Sequence, residues 1–352
     1  MPLSRETKEK ILDYILSGEC PTYMLPVMRW RIQRRDPQIC PTPTPGIWFL
    51  LGGRGSGKTW TASNYIYEFC ATLPWVPENK EVYIGLVGAS FEDVKHTMVE
   101  GKSGLLKVIP EDNLLAWNRT SGELKFSISD GENERMCYAN AYTAERPDKL
   151  RGPNTSIIWV DEPAKFKDAD VDPQKPSTTW SNLMGGLRSG TNPHVVVTGT
   201  PTKCRLIRYL DNHPKMRQTH MTTLENADNL PQSYLDELLR LPKNSPLYRQ
   251  EVLGEIIYDN PDAMFKQDII DKARWEPSTE DEELPILDDG EMFYKVLGYD
   301  PAASSAASAD ECGLILAGYT PEVKQSSGEL GGRPIVIKPI HAYVLKDLSG
   351  HY

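Results

Sequence analysis

The segment IWFLLGGRGSGKT at residues 47–59 decides the fold of this 352-residue chain. Its first five residues, Ile47 to Leu51, are continuously apolar, which predicts a β-strand that is buried on both faces. The following eight residues match the pattern G-x-x-x-x-G-K-[S/T], and the stretch TWTASNYIYEFCATL that begins at the last of them is predicted to be helical. A strand, a glycine-rich loop and a helix in this order form the context of a phosphate-binding loop.

The loop between this strand and this helix is predicted to bind a nucleotide. Its glycines let the backbone curl so that several N–H groups point at phosphate oxygens, and the helix N-terminus adds partial positive charge. Lys58 is predicted to reach the β- and γ-phosphates, and the Thr59 hydroxyl to bind Mg²⁺. Arg54 either neutralises γ-phosphate charge from within the same subunit or is a surface arginine. The predicted nucleotide-binding residues are Gly52, Gly53, Arg54, Gly55, Ser56, Gly57, Lys58 and Thr59.

A second apolar run, Ile157 to Val160, ends in two acids, Asp161 and Glu162. In an open α/β sheet, ligands bind at the carboxyl ends of the strands, so these acids are predicted to face the nucleotide. Asp161 is predicted to hold Mg²⁺ through water, and Glu162 to orient and deprotonate the attacking water. The alternative is a solvated acidic turn.

Two further features are predicted to lie near these acids. Arg151, ten residues before Asp161, is predicted to stabilise transition-state charge in a neighbouring subunit. The alternative is a structural or DNA-facing arginine. Thr198, Gly199 and Thr200 end another apolar strand, and their hydroxyls are predicted to sense the γ-phosphate and pass the change onward. The alternative there is a simple tight turn.

Strands and helices alternate around these motifs. Buried strands are predicted in EVYIGLVGAS, SIIWVDE and HVVVTGTP, and a pair of strands, ELKFSIS and MCYANAY, around the turn DGENE. Helices are predicted over residues 4–17, from about Phe91, and in TTWSNLMGGLRSG, KCRLIRYLDNH and LPQSYLDELLRL. This alternation predicts an α/β fold, a P-loop NTPase parallel sheet with helices on both faces.

The length predicts two domains, because single cores usually stop growing at about 250–300 residues. We place an N-terminal region and P-loop ATPase domain at 1–258, an acidic, proline-containing linker region at 259–290, and the start of a strand-rich domain at 291–352. The six cysteines form no CxxC pair, which indicates neither a zinc site nor a disulfide framework. The N-terminus lacks the apolar core of a signal peptide, and no run is long enough to span a bilayer, so we expect a cytosolic protein.

The net charge of −10 argues against a surface coated with static phosphate contacts, but permits a local basic surface that grips DNA briefly. Two basic clusters are candidates for such a surface. A solvated surface is the alternative for each side chain in them. The clusters are Arg29, Arg31, Arg34 and Arg35, and Lys149, Arg151, Lys165 and Lys167.

Several motifs together resemble the large terminase subunits of tailed bacteriophages. They are a basic segment leading to Gln38, then GGRGSGKT, LRGP, WVDEPAKF, VVVTGTPTK and GYDPAASSAASADECGLILAG, in the family's order along nearly the whole chain. The resemblance implies that Gln38 contacts adenine and that Arg54 is the arginine of the family's phosphate loop. It also implies that Arg151 is a trans-acting finger and that Thr198, Gly199 and Thr200 form a coupling motif.

The resemblance further implies that the second domain is a ribonuclease-H-like α/β nuclease. Asp300 and Asp347 each end a predicted strand and would bind a pair of Mg²⁺ or Mn²⁺ ions, with Asp310 as a weaker candidate. The family's nuclease domain continues further and supplies at least one more acid, whereas this sequence ends at Tyr352. We therefore expect a partial domain with an incomplete nuclease site.

The function implied is that of a viral DNA-packaging motor that hydrolyses ATP with Mg²⁺ and moves double-stranded DNA into a procapsid. Its implied partners are double-stranded DNA, the portal protein, the small terminase subunit and further copies of the chain in a ring. The implied location is the host cell cytoplasm, at the procapsid portal, with no membrane. A helicase-type DNA translocase and a nucleotide-dependent scaffold are the alternatives, although a helicase commonly carries a second ATPase-like domain and a scaffold would not need Glu162.

Overall fold

A computed structural model describes residues 3–243 and 245–257, together with the backbone of three strands further along the chain. The chain divides into two compact units, residues 1–266 and residues 267–352. In the part of the chain that the structure describes, the helices are too short or too polar to cross a membrane.

The first unit is built on an eight-stranded sheet with the order β3-β4-β5-β2-β6-β7-β1-β8. The six strands from β5 to β8 in this order are parallel, whereas β4 is antiparallel to both β3 and β5. The strands are β1 Ile47–Gly52, β2 Glu81–Gly88, β3 Leu114–Asn118, β4 Glu123–Ser129, β5 Glu134–Thr143, β6 Ile157–Asp161, β7 His194–Gly199 and β8 Met216–Met221.

Helices connect the strands and precede the sheet. Two of them, α4 and α8, are single turns that continue as π-helical segments over Val94–Val99 and Arg249–Leu253. The helices are α1 Arg5–Leu16, α2 Leu25–Gln33, α3 Lys58–Thr72, α4 Phe91–Asp93, α5 Thr179–Gly186, α6 Arg205–Asp211, α7 Gln232–Leu239 and α8 Pro246–Tyr248.

Both faces of the sheet are covered, which confirms the predicted architecture. Along β1, Trp48 and Leu50 pack into a core that includes α3, while Ile47, Phe49 and Leu51 pack into a core that includes α5 and α6. A strand whose side chains alternate between two cores must be apolar at every position. The continuous apolar run that we used to predict β1 therefore has this physical cause.

The predicted strands and most predicted helices are present, but β3 and β8 were not predicted. Both lie at the edges of the sheet. In β8, with the sequence MRQTHM, only the first and last residues are buried. In β3, no residue is fully buried. An edge strand lacks the continuous apolar run of a central one, so the sequence signal was weak.

In the second unit, three strands form an antiparallel sheet with the order β9-β10-β11: β9 Tyr294–Asp300, β10 Gly313–Val323 and β11 Val336–Asp347. In the backbone register, Asp300 pairs with Gly313 and Asp347 pairs with Ile315. The last residues of β9 and β11 therefore lie at the same end of this sheet, two positions apart along β10. The predicted linker at 259–290 and Asp310 lie outside the described residues.

Candidate nucleotide site

The phosphate loop lies between β1 and α3, at the carboxyl edge of the sheet. Gly55 and Gly57 have φ values of 72° and 96°, in the left-handed region that glycine adopts without strain. A Cβ atom added to Gly53 would lie 2.5 Å from the carbonyl oxygen of Glu251, so a side chain does not fit there. The glycines are thus required by backbone conformation and by close packing.

The Lys58 ammonium group is held within the loop that precedes it. Its Nζ donates to the carbonyl oxygens of Gly52 and Gly53, each at 2.9 Å. The side chain is buried, and burial lowers the pKa of the amine, partly offset by Glu162 and Asp161. A phosphate in the loop would give this ammonium group the anionic partner that the two carbonyls do not provide.

The two acids lie at the end of β6, which β7 separates from β1 in the sheet. The Oδ1 atom of Asp161 accepts a hydrogen bond of 2.5 Å from the Thr198 hydroxyl. Burial raises the pKa of Asp161 to about 6, against the opposing effect of this hydrogen bond. A buried carboxyl group with a raised pKa at a strand end is typical of a functional site.

The next residue, Glu162, occupies the left-handed region with φ 48°, the one described non-glycine residue to do so. Non-glycine residues rarely adopt this conformation, and they cluster at functional sites when they do. Its Oε2 atom accepts hydrogen bonds from the backbone N–H and the hydroxyl of Thr200, at 3.1 and 2.8 Å. The segment Thr198–Thr200 therefore fixes both acids and is more than a tight turn.

One cavity of about 370 Å³ brings the phosphate loop, the acids and Thr200 together. The hydroxyl of Thr59 and the carboxylate of Asp161, both on its wall, are hard oxygen donors of the kind that Mg²⁺ prefers. The cations and the acids on its walls suit a metal-bound triphosphate. The lining residues are Arg54, Gly55, Lys58, Thr59, Ala89, Asp93, Thr97, Asp161, Glu162, Lys165 and Thr200.

A larger cavity of about 900 Å³ also opens at the phosphate loop and shares Gly55, Lys58 and Thr59 with the first. It has room for the base and sugar of a nucleotide whose phosphates occupy the smaller cavity. Its lining residues are Trp30, Gln33, Arg35, Gln38, Gly55, Ser56, Gly57, Lys58, Thr59, Trp60, Lys102, Ser103, Asn226, Asn229 and Leu230.

Gln38 lies in this larger cavity and is itself buried. Its Oε1 atom accepts a hydrogen bond of 2.9 Å from the backbone N–H of Arg35, and its Nε2 donates to the Thr61 hydroxyl at 2.9 Å. The amide thus connects the N-terminal region to α3, beside the phosphate loop.

Residues 49–272 match the family described as "Terminase large subunit, T4likevirus-type, N-terminal", which covers more than half of the chain. The chain belongs to the terminase large subunit family. Among curated proteins, no sequence matches it.

Solved structures of three phage terminases are similar to this subunit at low identity. The large terminase of the thermophilic bacteriophage D6E, in complex with ADP, is 15% identical with a TM-score of 0.48, and the match covers 92% of this chain and 68% of that one. The HK97 bacteriophage large terminase is 14% identical with a TM-score of 0.45, and the match covers 90% of this chain and 66% of that one. The Thermus phage P74-26 large terminase ATPase domain is 14% identical with a TM-score of 0.45, and the match covers 73% of this chain and 100% of that one. This terminase subunit thus spans about two thirds of the D6E and HK97 chains.

Arg54 lines the smaller cavity of this terminase subunit, and its guanidinium Nε pairs with the carboxylate of Glu251. The arginine side chain is 68% exposed, whereas that of Glu251 is 12% exposed. Arg54 is therefore not an isolated surface arginine. It lies at the cavity with a half-buried acid as its partner, and Glu251 is not part of the predicted site.

Arg151 is exposed, and its Nη2 donates to the carbonyl oxygen of Pro176 at 3.1 Å. It lines neither of the two cavities described above. The structure therefore does not bring Arg151 to the nucleotide site of its own chain, and its predicted role in a neighbouring subunit stays a prediction.

The two basic clusters differ in the described residues: three arginines of the first are half-buried and engaged, whereas all four members of the second are exposed. Arg31 and Arg34 both pair with Glu68 on α3, at 2.7 and 3.0 Å, and Arg35 contacts the phosphate loop. In the second cluster, Lys165 lines the smaller cavity. These contacts are not predictable from local patterns, because the partners are distant in the sequence.

Three cavity residues were missed although the sequence carries a signal for each. Asp93 and Thr97 follow the carboxyl end of β2, which is the edge where ligands bind in such sheets. Lys165 follows Glu162 by three residues, and its backbone N–H donates to the Glu162 carbonyl oxygen at 2.9 Å in a 3₁₀ turn. That turn returns the chain to the cavity.

In the second unit, Asp300 and Asp347 are placed by their backbones only, as the last residues of β9 and β11. Among the residues that the structure describes, no group of three or more His, Cys, Asp or Glu side chains could hold a metal ion. The nuclease site therefore stays a prediction.

Proposed function

We propose that this terminase subunit is an ATP-hydrolysing motor that moves double-stranded DNA into a viral procapsid. The observation that carries the proposal is the cavity at the carboxyl edge of the sheet. It joins a phosphate loop to two acids, Asp161 and Glu162, in a chain that belongs to the terminase large subunit family. A phosphate loop alone needs only to bind nucleotide, whereas an acid beside the phosphates supports hydrolysis.

In this proposal, Lys58 and Arg54 bind the terminal phosphates from the loop side of the cavity. Thr59 and Asp161 hold Mg²⁺, which neutralises phosphate charge when it is bound. Glu162 lies opposite the loop and takes the proton from the attacking water. Because Thr200 holds its Oε2 atom, we assign Oε1 as the base.

The hydroxyl groups of Thr198 in β7 and of Thr200 just after it provide a physical route for coupling. Thr198 binds Asp161 and Thr200 binds Glu162, so a change in either carboxylate alters a hydrogen bond at the end of β7. In our proposal, Thr198, Gly199 and Thr200 pass the state of the γ-phosphate onward through these bonds.

The remaining parts of the proposal concern assembly and cleavage. Arg151 of one subunit reaches the cavity of its neighbour in a ring at the portal protein, and Gln38 lies beside the adenine. The small terminase subunit is a further partner, and the host cell cytoplasm is the location. Asp300 and Asp347 bind Mg²⁺ or Mn²⁺ for the cleavage of concatemeric DNA, which their positions at one end of the second sheet support.

The proposal is tested by steady-state ATPase activity of the chain and of Glu162→Ala and Glu162→Gln. Each is assayed alone, with double-stranded DNA, and with procapsids that carry the portal. We expect hydrolysis by the wild type to rise with DNA or procapsids, and both variants to lose at least about a hundredfold. Glu123→Gln, an exposed acid on β4, is the matched control and should keep wild-type activity.

Three outcomes would contradict the proposal. Unchanged hydrolysis in Glu162→Gln would show that Glu162 is not the catalytic base. Absence of any ATP binding by the wild type would show that the chain is not an ATP-driven motor. Stimulation by single-stranded DNA together with strand separation would favour a helicase-type translocase.

A further inference from the structure

Four consecutive carbonyl oxygens of the phosphate loop each accept a hydrogen bond from a side chain outside the loop. The four donor side chains come from three parts of the first unit. The pairs are Thr223 Oγ1 to Arg54 O at 2.7 Å, Asn226 Nδ2 to Gly55 O at 2.7 Å, Arg35 Nη2 to Ser56 O at 2.6 Å, and Thr61 Oγ1 to Gly57 O at 2.8 Å.

These contacts determine where the loop N–H groups point. In a planar trans peptide, the C=O of one residue and the N–H of the next point in opposite directions. A side chain that holds the Gly55 carbonyl on the outside therefore turns the Ser56 N–H toward the inside, where its nitrogen lies 3.3 Å from the Gly53 carbonyl oxygen. The same relation links the Arg54 carbonyl to the Gly55 N–H. Inward N–H groups in succession make a concave anion site.

The glycines make this external support necessary. Gly55 has a φ of 72° and no side chain to restrict it, so its peptide groups can rotate at little steric cost. Within the loop, the peptide 55–56 has one backbone restraint, the 3.3 Å contact from the Ser56 nitrogen to the Gly53 carbonyl oxygen, which is longer than a typical N–H···O hydrogen bond. Donors anchored elsewhere in the fold remove that freedom.

Two of the four donors, Thr223 and Asn226, belong to one turn that follows β8. Thr223 is fully buried, and its hydroxyl also lies 3.2 Å from the Glu251 carbonyl oxygen, while its backbone N–H donates to Val252 O at 2.9 Å. The 3₁₀ helix Leu224–Asn229 follows it and carries Asn226 over Gly55. This turn is therefore anchored to the body of the unit.

We propose that Thr223 and Asn226 are positioning residues for the triphosphate. They hold the peptides 54–55 and 55–56 so that the Gly55 N–H faces the phosphates and the Ser56 N–H stays inside the loop, toward the Gly53 carbonyl oxygen. The proposal rests on the proposed function, because it assumes that the loop binds a nucleoside triphosphate. Nucleotide affinity then depends on a turn that lies about 170 residues from the phosphate loop in the sequence.

Asn226 is the better residue to test, because it is partly exposed and its loss should leave the fold intact. We expect Asn226→Ala to weaken binding of Mg²⁺–ATP about tenfold, the cost of leaving one carbonyl without its donor. Binding of inorganic tripolyphosphate with Mg²⁺ should weaken by a similar factor, because this ligand uses the same loop N–H groups. In the ATPase assay, KM should rise by the same factor and kcat should change little, the pattern of lost uniform binding.

The matched control is Asn212→Ala. Asn212 is an exposed asparagine whose Nδ2 also donates to a backbone carbonyl, that of Arg208, at 2.9 Å, but outside the site. It should bind both ligands as the wild type does. Thr223→Val should repeat the Asn226→Ala result, and Thr223→Ser should restore wild-type binding, because serine keeps the hydroxyl.

Tripolyphosphate distinguishes positioning from direct contact with the nucleotide. A loss of ATP affinity with unchanged tripolyphosphate affinity would overturn the inference, since Asn226 would then contact the base or ribose. Unchanged affinity for both ligands would also overturn it and leave the proposed function intact. A wild type that binds neither ligand would overturn the proposed function and this inference together.

Discussion

The two ends of helix α3 are treated in opposite ways by this fold. At the N-terminal end, Lys58 and the preceding loop line the smaller cavity, and within the described part of the chain the Lys58 ammonium group donates only to two carbonyl oxygens of the loop. At the C-terminal end, Arg135 from β5 is fully buried. It donates to four backbone carbonyl oxygens at 2.5–3.0 Å, those of Cys70, Leu73, Pro74 and Asn79.

On this one helix, the N-terminal end serves ligand binding and the C-terminal end serves the stability of the fold. Both ends carry orphan backbone groups and partial charge, and both need a partner of opposite sign. At the C-terminal end the protein supplies the cation itself, and the Arg135 guanidinium also stacks 4.1 Å from the Trp75 ring. At the N-terminal end the partner must come from the ligand. Substitutions at the two ends should therefore affect different measurements.

Lys58→Met should have the largest effect on function. It removes the ammonium group from the loop while keeping the apolar stem, and a cation that stabilises transition-state charge contributes about a hundredfold or more to the rate. We expect ATPase activity to fall by at least about a hundredfold. The free energy of unfolding without nucleotide should change by less than about 1 kcal/mol, because losing two hydrogen bonds offsets the relief of a desolvated charge.

Steady-state kinetics and thermal unfolding on the same preparation measure both quantities. The exposed Lys107→Met is the control, and it should match the wild type in both. A large loss of stability in Lys58→Met would contradict the comparison, because the N-terminal end would then also serve the fold.

Arg135→Met should show the reverse pattern. It leaves four carbonyl oxygens without their donor in a buried position, which we expect to cost about 3 kcal/mol. For a unit of this size the melting temperature should fall by roughly 10 °C. At a temperature where the variant stays folded, the KM for ATP should be unchanged. A raised KM at full folding would show that the two ends are coupled.

Much of this fold was predictable because its central strands are buried on both faces. The runs that end at Leu51, Val160 and Val197 are apolar throughout, and each predicted strand is present. The site followed from two local patterns, the phosphate loop and the acids at a strand end. Each pattern spans only a few consecutive residues, so a single sequence is sufficient to recognise it.

The contacts that complete the site were not predictable from local patterns. Glu251, Thr223 and Asn226 reach the loop from about 170–200 residues away, and none lies in a motif of its own. Arg135 had a weak signal, since it shares the inward parity of Cys137 along β5, yet a charged residue at a strand start is usually exposed. Its partners are backbone carbonyls, which a sequence does not reveal.

Glu68→Gln should give a smaller effect, in the middle of α3. Glu68 pairs with Arg31 and Arg34 on the N-terminal region and is 10% exposed, while the arginines are 32% and 15% exposed. Partial exposure screens these pairs, so we expect a loss of about 1–2 kcal/mol in a thermal melt. The exposed pair variant Glu237→Gln should not change the melting temperature. If Glu68→Gln instead changes only the KM for ATP, the contacts of Glu68 serve nucleotide binding and not the stability of the fold.

The smallest effect should be a pH dependence at His194, which contacts α3 through Tyr65. The Asn192 carbonyl oxygen must accept from Nδ1, so Nε2 of the neutral ring accepts from the Tyr65 hydroxyl. Burial lowers the pKa of His194, so the unfolded chain takes up a proton near the usual value of about 6.5 before the folded chain does.

Stability from His194 is therefore present above about pH 6.5 and is lost as the pH falls toward the lower folded pKa, with a slope of at most about 1.4 kcal/mol per pH unit. Between pH 7 and 5.5 we expect the wild type to lose about 1 kcal/mol more than His194→Gln, as measured by denaturant unfolding at each pH. Equal losses in both proteins would mean that folding does not lower the pKa of His194. Because His194 lies at the start of β7, away from the acids at its end, the KM for ATP should not follow this titration.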